Sequence, residues 1–166
     1  MTTILGISSF YHDSAAVLIK NGEILGAAQE ERFTRIKNDF SFPVNVIKFL
    51  LKSNDQSLAN IDKVIFYEKP FLKFERIVET YLAFAPKGFK SFRLAMPIWL
   101  KEKLFQKNII IKNLKKIDKL FDSKKLMFAE HHLSHAASAF YPSPFEEAII
   151  LTLDGVGEWA TTTVSI

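Results

Sequence analysis

Ala15-Ala16-Val17-Leu18-Ile19-Lys20-Asn21-Gly22-Glu23-Ile24-Leu25-Gly26-Ala27-Ala28 reads as two strands on either side of a two-residue turn. Residues 15–20 and 23–28 are short and apolar. The Asn-Gly between them suits a type I′ turn, which needs φ > 0 at both central positions. Working backwards, residues 3–9 (Thr-Ile-Leu-Gly-Ile-Ser-Ser) form an apolar run with β-branched residues, as in a buried strand. The chain is therefore expected to open with three antiparallel strands.

Working forwards, residues 29–41 are polar, and Pro43 suits the first turn of a helix with Val44, Ile47, Phe49 and Leu50 on its apolar face. A fourth strand is expected over 63–67, a fifth and buried one over 126–129, and an alanine-rich helix over 131–140 that Pro142 and Pro144 end. Residues 148–153 and 160–166 read as a sixth and a seventh strand. A three-stranded meander extended by two parallel strands through helix–strand units is an α/β arrangement and fits a ribonuclease H-like half-domain, a mixed sheet with helices. The last two strands look like the opening of a second copy. The expected organisation is a first half over residues 1–146, with a helical insert at about 70–125, and an incomplete second half over 147–166, so that the chain reads as part of a longer protein.

Composition narrows the function classes. The 166 residues are 48% hydrophobic and 24% charged, with six Gly, six Pro and no Cys. That balance excludes disorder, a collagen-like repeat and a disulfide scaffold, and the missing cysteine removes thiolate chemistry. No apolar stretch of about 18 residues lacks charges, so a membrane span is not expected. The first residues lack the basic segment of a signal peptide, and the expected location is the cytoplasm. The net charge of +4 hides an asymmetry: residues 70–125 hold 14 Lys/Arg against 5 Asp/Glu, the remainder 8 against 13. A basic segment raises nucleic-acid binding. Its apolar residues, however, recur with a helical period: Ile77, Tyr81, Leu82, Leu94, Ile98, Leu104, Ile109, Ile110, Ile111, Leu114 and Ile117. Lysines on the outer face of such helices are ordinarily solvated surface, so nucleic acid is disfavoured and a partner or neighbouring-domain surface remains open.

Three of the four histidines, His131, His132 and His135, lie within five residues. His131 and His135 are i and i+4, so one helix face presents both, as a metal-ligand pair or as surface and capping polarity. Leu133 stands between them and no glutamate follows the first histidine, so the zinc-peptidase helix is excluded. The pair opens a helix directly after an apolar strand, where ligands bind in open α/β sheets. Asp154, at the end of the next strand, adds an oxygen donor, and two histidines with one carboxylate match a facial triad with open positions. In Asp154-Gly155-Val156-Gly157, Gly155 and Gly157 either let backbone N–H groups approach a phosphate or simply make a tight hairpin. His12, in the polar turn Ser8-Ser9-Phe10-Tyr11-His12-Asp13-Ser14, is a base or a strand-end cap, and Lys37 by itself carries no signal.

Four segments taken together carry a resemblance. They are Ile4 to Ser8 running on through Tyr11-His12-Asp13-Ser14-Ala15-Ala16; Glu30-Glu31-Arg32-Phe33-Thr34-Arg35-Ile36-Lys37; His131-His132-Leu133-Ser134-His135 on to Phe145; and Asp154-Gly155-Val156-Gly157-Glu158-Trp159-Ala160-Thr161-Thr162. In this order they resemble the O-carbamoyltransferase family of nodulation and antibiotic-tailoring enzymes. The resemblance implies the start of a Kae1-like domain of the actin/hexokinase/Hsp70 ATPase fold, truncated at the start of its second half, with a YrdC-like domain to follow. It implies that carbamoyl phosphate and ATP give carbamoyl adenylate, whose carbamoyl group passes to a hydroxyl of a small molecule such as a sugar. His131, His135 and Asp154 fall on metal positions, typically for iron(II), with zinc and manganese as alternatives; only His131 is four residues before His135. Gly155 and Gly157 would face the nucleotide, and His12 and Lys37 fall near the transferred group, as base and as oxyanion-stabilising cation. This segment alone is expected to be inactive, and its open apolar strands allow a homodimer. The competing readings are a Kae1-type subunit for threonylcarbamoyl transfer to tRNA, which shares the histidine pair, and a non-catalytic binding module of the same fold.

Overall fold

In the computed structural model Asn21 and Gly22 have φ of 53° and 87°, the left-handed conformations that a type I′ turn requires. They join β2 (Ala15–Lys20) to β3 (Glu23–Gln29). The structure describes residues 1–102, 105–155 and 157–166, with the backbone alone at 95 and 98–102, so the expected apolar positions Ile98 and Leu104 and the turn residue Val156 lie outside the described side chains. The chain divides into two compact units, one of Met1–Tyr67 with Asn108–Phe128 and one of Glu68–Lys107 with Ala129–Ile166.

The first unit is a five-stranded mixed sheet in the order β3-β2-β1-β4-β5, where β1 is Thr3–Ser8, β4 Lys63–Phe66 and β5 Leu126–Phe128. β1, β2 and β3 pair antiparallel, while β4 runs parallel to β1 and β5 parallel to β4. The α/β class with a mixed sheet, as read from the sequence, is therefore what the chain forms. Alternation along β1 buries Thr3, Leu5 and Ile7. β1 ends at Ser8, one residue short of the expected run, and Phe10 two residues on has φ 73°, which no strand accommodates. Asp62 leads into β4 by a reciprocal bond pair: its N–H donates to the Thr3 carbonyl (2.9 Å) and its carboxylate accepts the Thr3 N–H (2.7 Å).

After the short α1 (Glu31–Thr34), α2 (Val44–Ser53) packs on β2 and β3 through Val46, Ile47, Leu50 and Leu51. Phe49, expected on that apolar face, instead lies half-exposed against Phe33, with ring centroids 5.4 Å apart. The basic segment is helical as expected: α3 (Pro70–Phe84), α4 (Phe89–Glu102) and α5 (Gln106–Ile117). Ile110 and Leu114 of α5 enter the core of the first unit, the same cluster that holds Val64 and Phe66 of β4. By contrast, Leu82 and Leu94 are 67% and 73% exposed, so periodicity alone did not separate covered from bare helix faces.

In the second unit, α6 (His131–Phe140) packs on β6 (Ile150–Leu153), which pairs antiparallel with β7 (Thr162–Ser165). Both strands are shorter than the runs 148–153 and 160–166. The ladder closes at Leu153↔Thr162 and Asp154 N–H then donates to the Thr161 carbonyl (2.8 Å), which leaves Ala160 in the connecting loop. Leu151, Leu153 and Val164 are exposed, and among the described residues β6 and β7 pair only with each other. Among the described residues no helix is long and apolar enough to cross a membrane.

Candidate metal centre

Residues 131–140 form a helix because three alanines and a leucine favour it and no β-branched residue, glycine or proline interrupts them. Its first turn carries His131 and its second His135 on the same face. Their Nε2 atoms lie 3.1 Å apart and the rings meet edge-on at 84°. Asp154, the first residue after β6, brings its Oδ2 within 2.7 Å of the His131 Nε2. The three donor atoms lie within 4.8 Å of one another. Ligands at about 2.1 Å from one cation and at right angles to each other are about 3.0 Å apart, so this spacing suits a shared ion. Burial, and next the neighbouring His135, hold the His131 imidazole below the ordinary histidine value; Asp154 opposes this, and Lys73 adds to it. The neutral ring favoured in this way is the form that ligates a metal. The cluster fits a divalent cation by both its chemistry and its geometry.

The two glycines that follow Asp154 differ in what surrounds them. A Cβ on Gly157 would stand 2.0 Å from the Ala160 carbonyl oxygen and 2.7 Å from the His132 Nε2, so only glycine fits; a Cβ on Gly155 would meet nothing within 4 Å. His132, the middle histidine, turns away from the cluster: its Nδ1 lies 2.9 Å from the Thr163 hydroxyl.

Sequence reasoning assigned no role to Glu158, yet its buried carboxylate accepts the backbone N–H of His131 (3.2 Å) and, through its other oxygen, that of Lys69. The acid adjacent to α6 in sequence, Glu130, makes no side-chain cap and pairs with the Lys69 ammonium at 2.8 Å. Arg76 of α3 donates to the Gly157 carbonyl at 2.5 Å, and Lys73 of the same helix pairs with the fully buried Glu68 at 2.9 Å. A helix from the motif-free basic segment thus supplies two cations to this unit. Nothing local in the sequence marks them among 22 Lys/Arg.

His12 and Lys37 belong to the first unit, on two exposed loops that are hydrogen-bonded together. Phe10 N–H donates to the Phe40 carbonyl (2.9 Å) and Ser14 N–H to the Asp39 carbonyl (2.7 Å). Phe10, Asp13, Arg35 and Asn38, all in these loops, have positive φ, a conformation that costs about 1 kcal/mol or more each and clusters at functional loops. The His12 Nδ1 lies 2.8 Å from the Asp13 carboxylate, which can only accept, so the shared proton sits on Nδ1. The Glu30–Lys37 run braces itself. The Glu30 carboxylate caps α2 at Asn45 N, Asn45 Nδ2 and Val46 N (3.1, 2.7 and 3.0 Å), Glu31 accepts the Asn38 N–H (3.1 Å), and Asp39 accepts the Thr34 hydroxyl (2.7 Å). Bonds from the Ser41 hydroxyl, then the Thr34 hydroxyl and the Ser41 N–H, hold the Asp39 carboxyl below the usual carboxylate value.

Two histidines and one carboxylate are a donor set suited to a divalent first-row metal such as non-haem iron. Residues 3–166 match the family described as carbamoyltransferase N-terminus, and the chain belongs to that family. It is 57% identical to an uncharacterized protein of Synechocystis sp. over 166 residues, 99% of this chain and 27% of that protein. It is 31% identical to the nodulation protein NolNO of Sinorhizobium fredii over 159 residues, 96% of this chain and 22% of that protein. An uncharacterized protein of Methanocaldococcus jannaschii is 33% identical over 202 residues, 96% of this chain and 32% of that protein. The chain spans between about a fifth and a third of the length of these relatives.

Proposed function

We propose that this chain is the N-terminal part of an O-carbamoyltransferase, the first half of an actin/hexokinase/Hsp70-type Kae1-like domain. In this reading a YrdC-like domain turns carbamoyl phosphate and ATP into carbamoyl adenylate, and the carbamoyl group passes to a hydroxyl of a small molecule such as a sugar. The observation that carries it is the family match over residues 3–166, with His131, His135 and Asp154 gathered within 4.8 Å inside it.

His131, His135 and Asp154 would hold a divalent cation, iron(II) in this reading. Bound there, it offsets phosphate charge and polarises an oxygen. His12 takes the acceptor's hydroxyl proton on Nε2, oriented by the Nδ1–H bond to Asp13. The acceptor oxygen then bonds to the carbamoyl carbon as the bond to AMP breaks, and Lys37 stabilises the oxyanion that develops. Gly155, with open space where a side chain would stand, leaves its backbone accessible to a nucleotide phosphate; Gly157 keeps the loop closed against Ala160.

Acceptor carbamoylation, read by mass spectrometry, tests this in a chain that carries both this segment and a YrdC-like domain. His12→Ala lowers kcat about 10²–10⁴-fold, the loss that goes with a general base, and residues 1–166 alone transfer nothing from carbamoyl phosphate plus ATP. An unchanged kcat in His12→Ala contradicts the assigned base, and turnover by residues 1–166 alone contradicts the division of labour.

A further inference from the structure

We propose that Glu158 is the positioning residue of the histidine–aspartate cluster, fixing His131 and Asp154 to one frame by capping two helices at once. This rests on the metal-binding reading of the cluster given above. Its two carboxylate oxygens have separate duties: Oε2 accepts the N–H of His131, the first residue of α6, and Oε1 accepts the N–H of Lys69, which precedes Pro70 at the start of α3. Both are helix N-termini, where unpaired N–H groups and the helix dipole favour an anion, and a single buried carboxylate serves both.

The consequence for the cluster follows from chain connectivity. Asp154 and Glu158 lie in one loop, whose start is tied to β7 by the Asp154 N–H bond to the Thr161 carbonyl at 2.8 Å. Its middle is held by Arg76 on the Gly157 carbonyl and by the close packing of Gly157 on Ala160. At its far end Glu158 grips the main chain of His131. The loop that carries one donor is therefore bonded to the backbone of another, four residues away along its own length, and the His131–Asp154 separation is set by bonds other than the one between them. A residue that supports ligands in this way typically controls metal affinity about 10–100-fold.

Two measurements on the full chain test this, with Glu158→Gln and Glu158→Ala compared at equal far-UV circular dichroism. The first needs no metal. In an amide-resolved NMR spectrum the His131 and Lys69 N–H signals should shift together in Glu158→Gln, because an amide oxygen can serve only one of the two donors, and exchange at one or both should quicken about 10-fold or more. Unmoved His131 and Lys69 amides overturn the proposal whatever the metal does. The second is titration with Co(II), following its visible absorption. Glu158→Gln should bind about 10–100-fold more weakly and with an altered band, Glu158→Ala more weakly still. Wild-type affinity and an unaltered band in both variants overturn the proposal. If the wild type itself takes up no Co(II), the metal reading fails and the amide spectrum alone decides the role of Glu158.

Discussion

Replacing Glu30 by alanine removes the acid that caps α2, and the structure lets the loss be estimated. The Glu30 carboxylate accepts three donors, Asn45 N, Asn45 Nδ2 and Val46 N, between 2.7 and 3.1 Å. Val46 is fully buried, so water cannot replace its lost partner. A lost helix cap costs about 1 kcal/mol and an unpaired buried N–H about 1–3 kcal/mol more, which together give about 3 kcal/mol. For a chain of this length that lowers Tm by about 6–12 °C. Glu30→Gln should fall closer to alanine than to wild type, because its amide group would point N–H at an N–H on one side of the cap. Thermal unfolding followed by circular dichroism at pH 7 measures both. A shift below about 2 °C in Glu30→Ala refutes the cap as a structural element of the Glu30–Lys37 run.

Gly157→Ala should disturb the cluster where Gly155→Ala does not, since only the former meets a backbone oxygen at 2.0 Å. The expected costs are about 1–3 kcal/mol, with loss of metal uptake, against about 0.5 kcal/mol or less, read by denaturant unfolding and metal titration of both variants. Asp39 titrates below its ordinary value because three donors favour its charged form. A depressed carboxylate contributes stability that is present above the unfolded value of about 3.9 and fades as pH falls through the folded one. The stability gap between wild type and Asp39→Asn should therefore be widest above pH 4 and close below it, and a gap that is constant from pH 7 down to pH 2 contradicts the hydrogen-bonded carboxylate.

What the sequence made legible was local. Asn21-Gly22 specifies its own φ angles, so the β2–β3 hairpin follows from two residues. His131 and His135 share a face because helical periodicity alone puts them there, and Asp154 follows from the end of a short apolar strand. Glu158 and Arg76 were not legible because their contacts join residues 27, 89 and 81 positions apart, and no periodic pattern spans such separations. The capping of α6 is the sharper case. Glu130, the acid next to the helix in sequence, pairs with Lys69, and the cap comes from a loop beyond β6. Leu82 and Leu94 failed in the opposite way: their helical spacing is real, but periodicity does not say whether anything covers the face it defines.

The central claim is that His131, His135 and Asp154 hold one divalent ion in a carbamoyltransferase domain, and metal content after anaerobic purification tests it most directly. Elemental analysis with X-ray absorption should give up to one ion per chain, ligated by two imidazole nitrogens and a carboxylate oxygen, and the ion should be lost in His135→Ala. Equal metal content in the wild type and His135→Ala would contradict it.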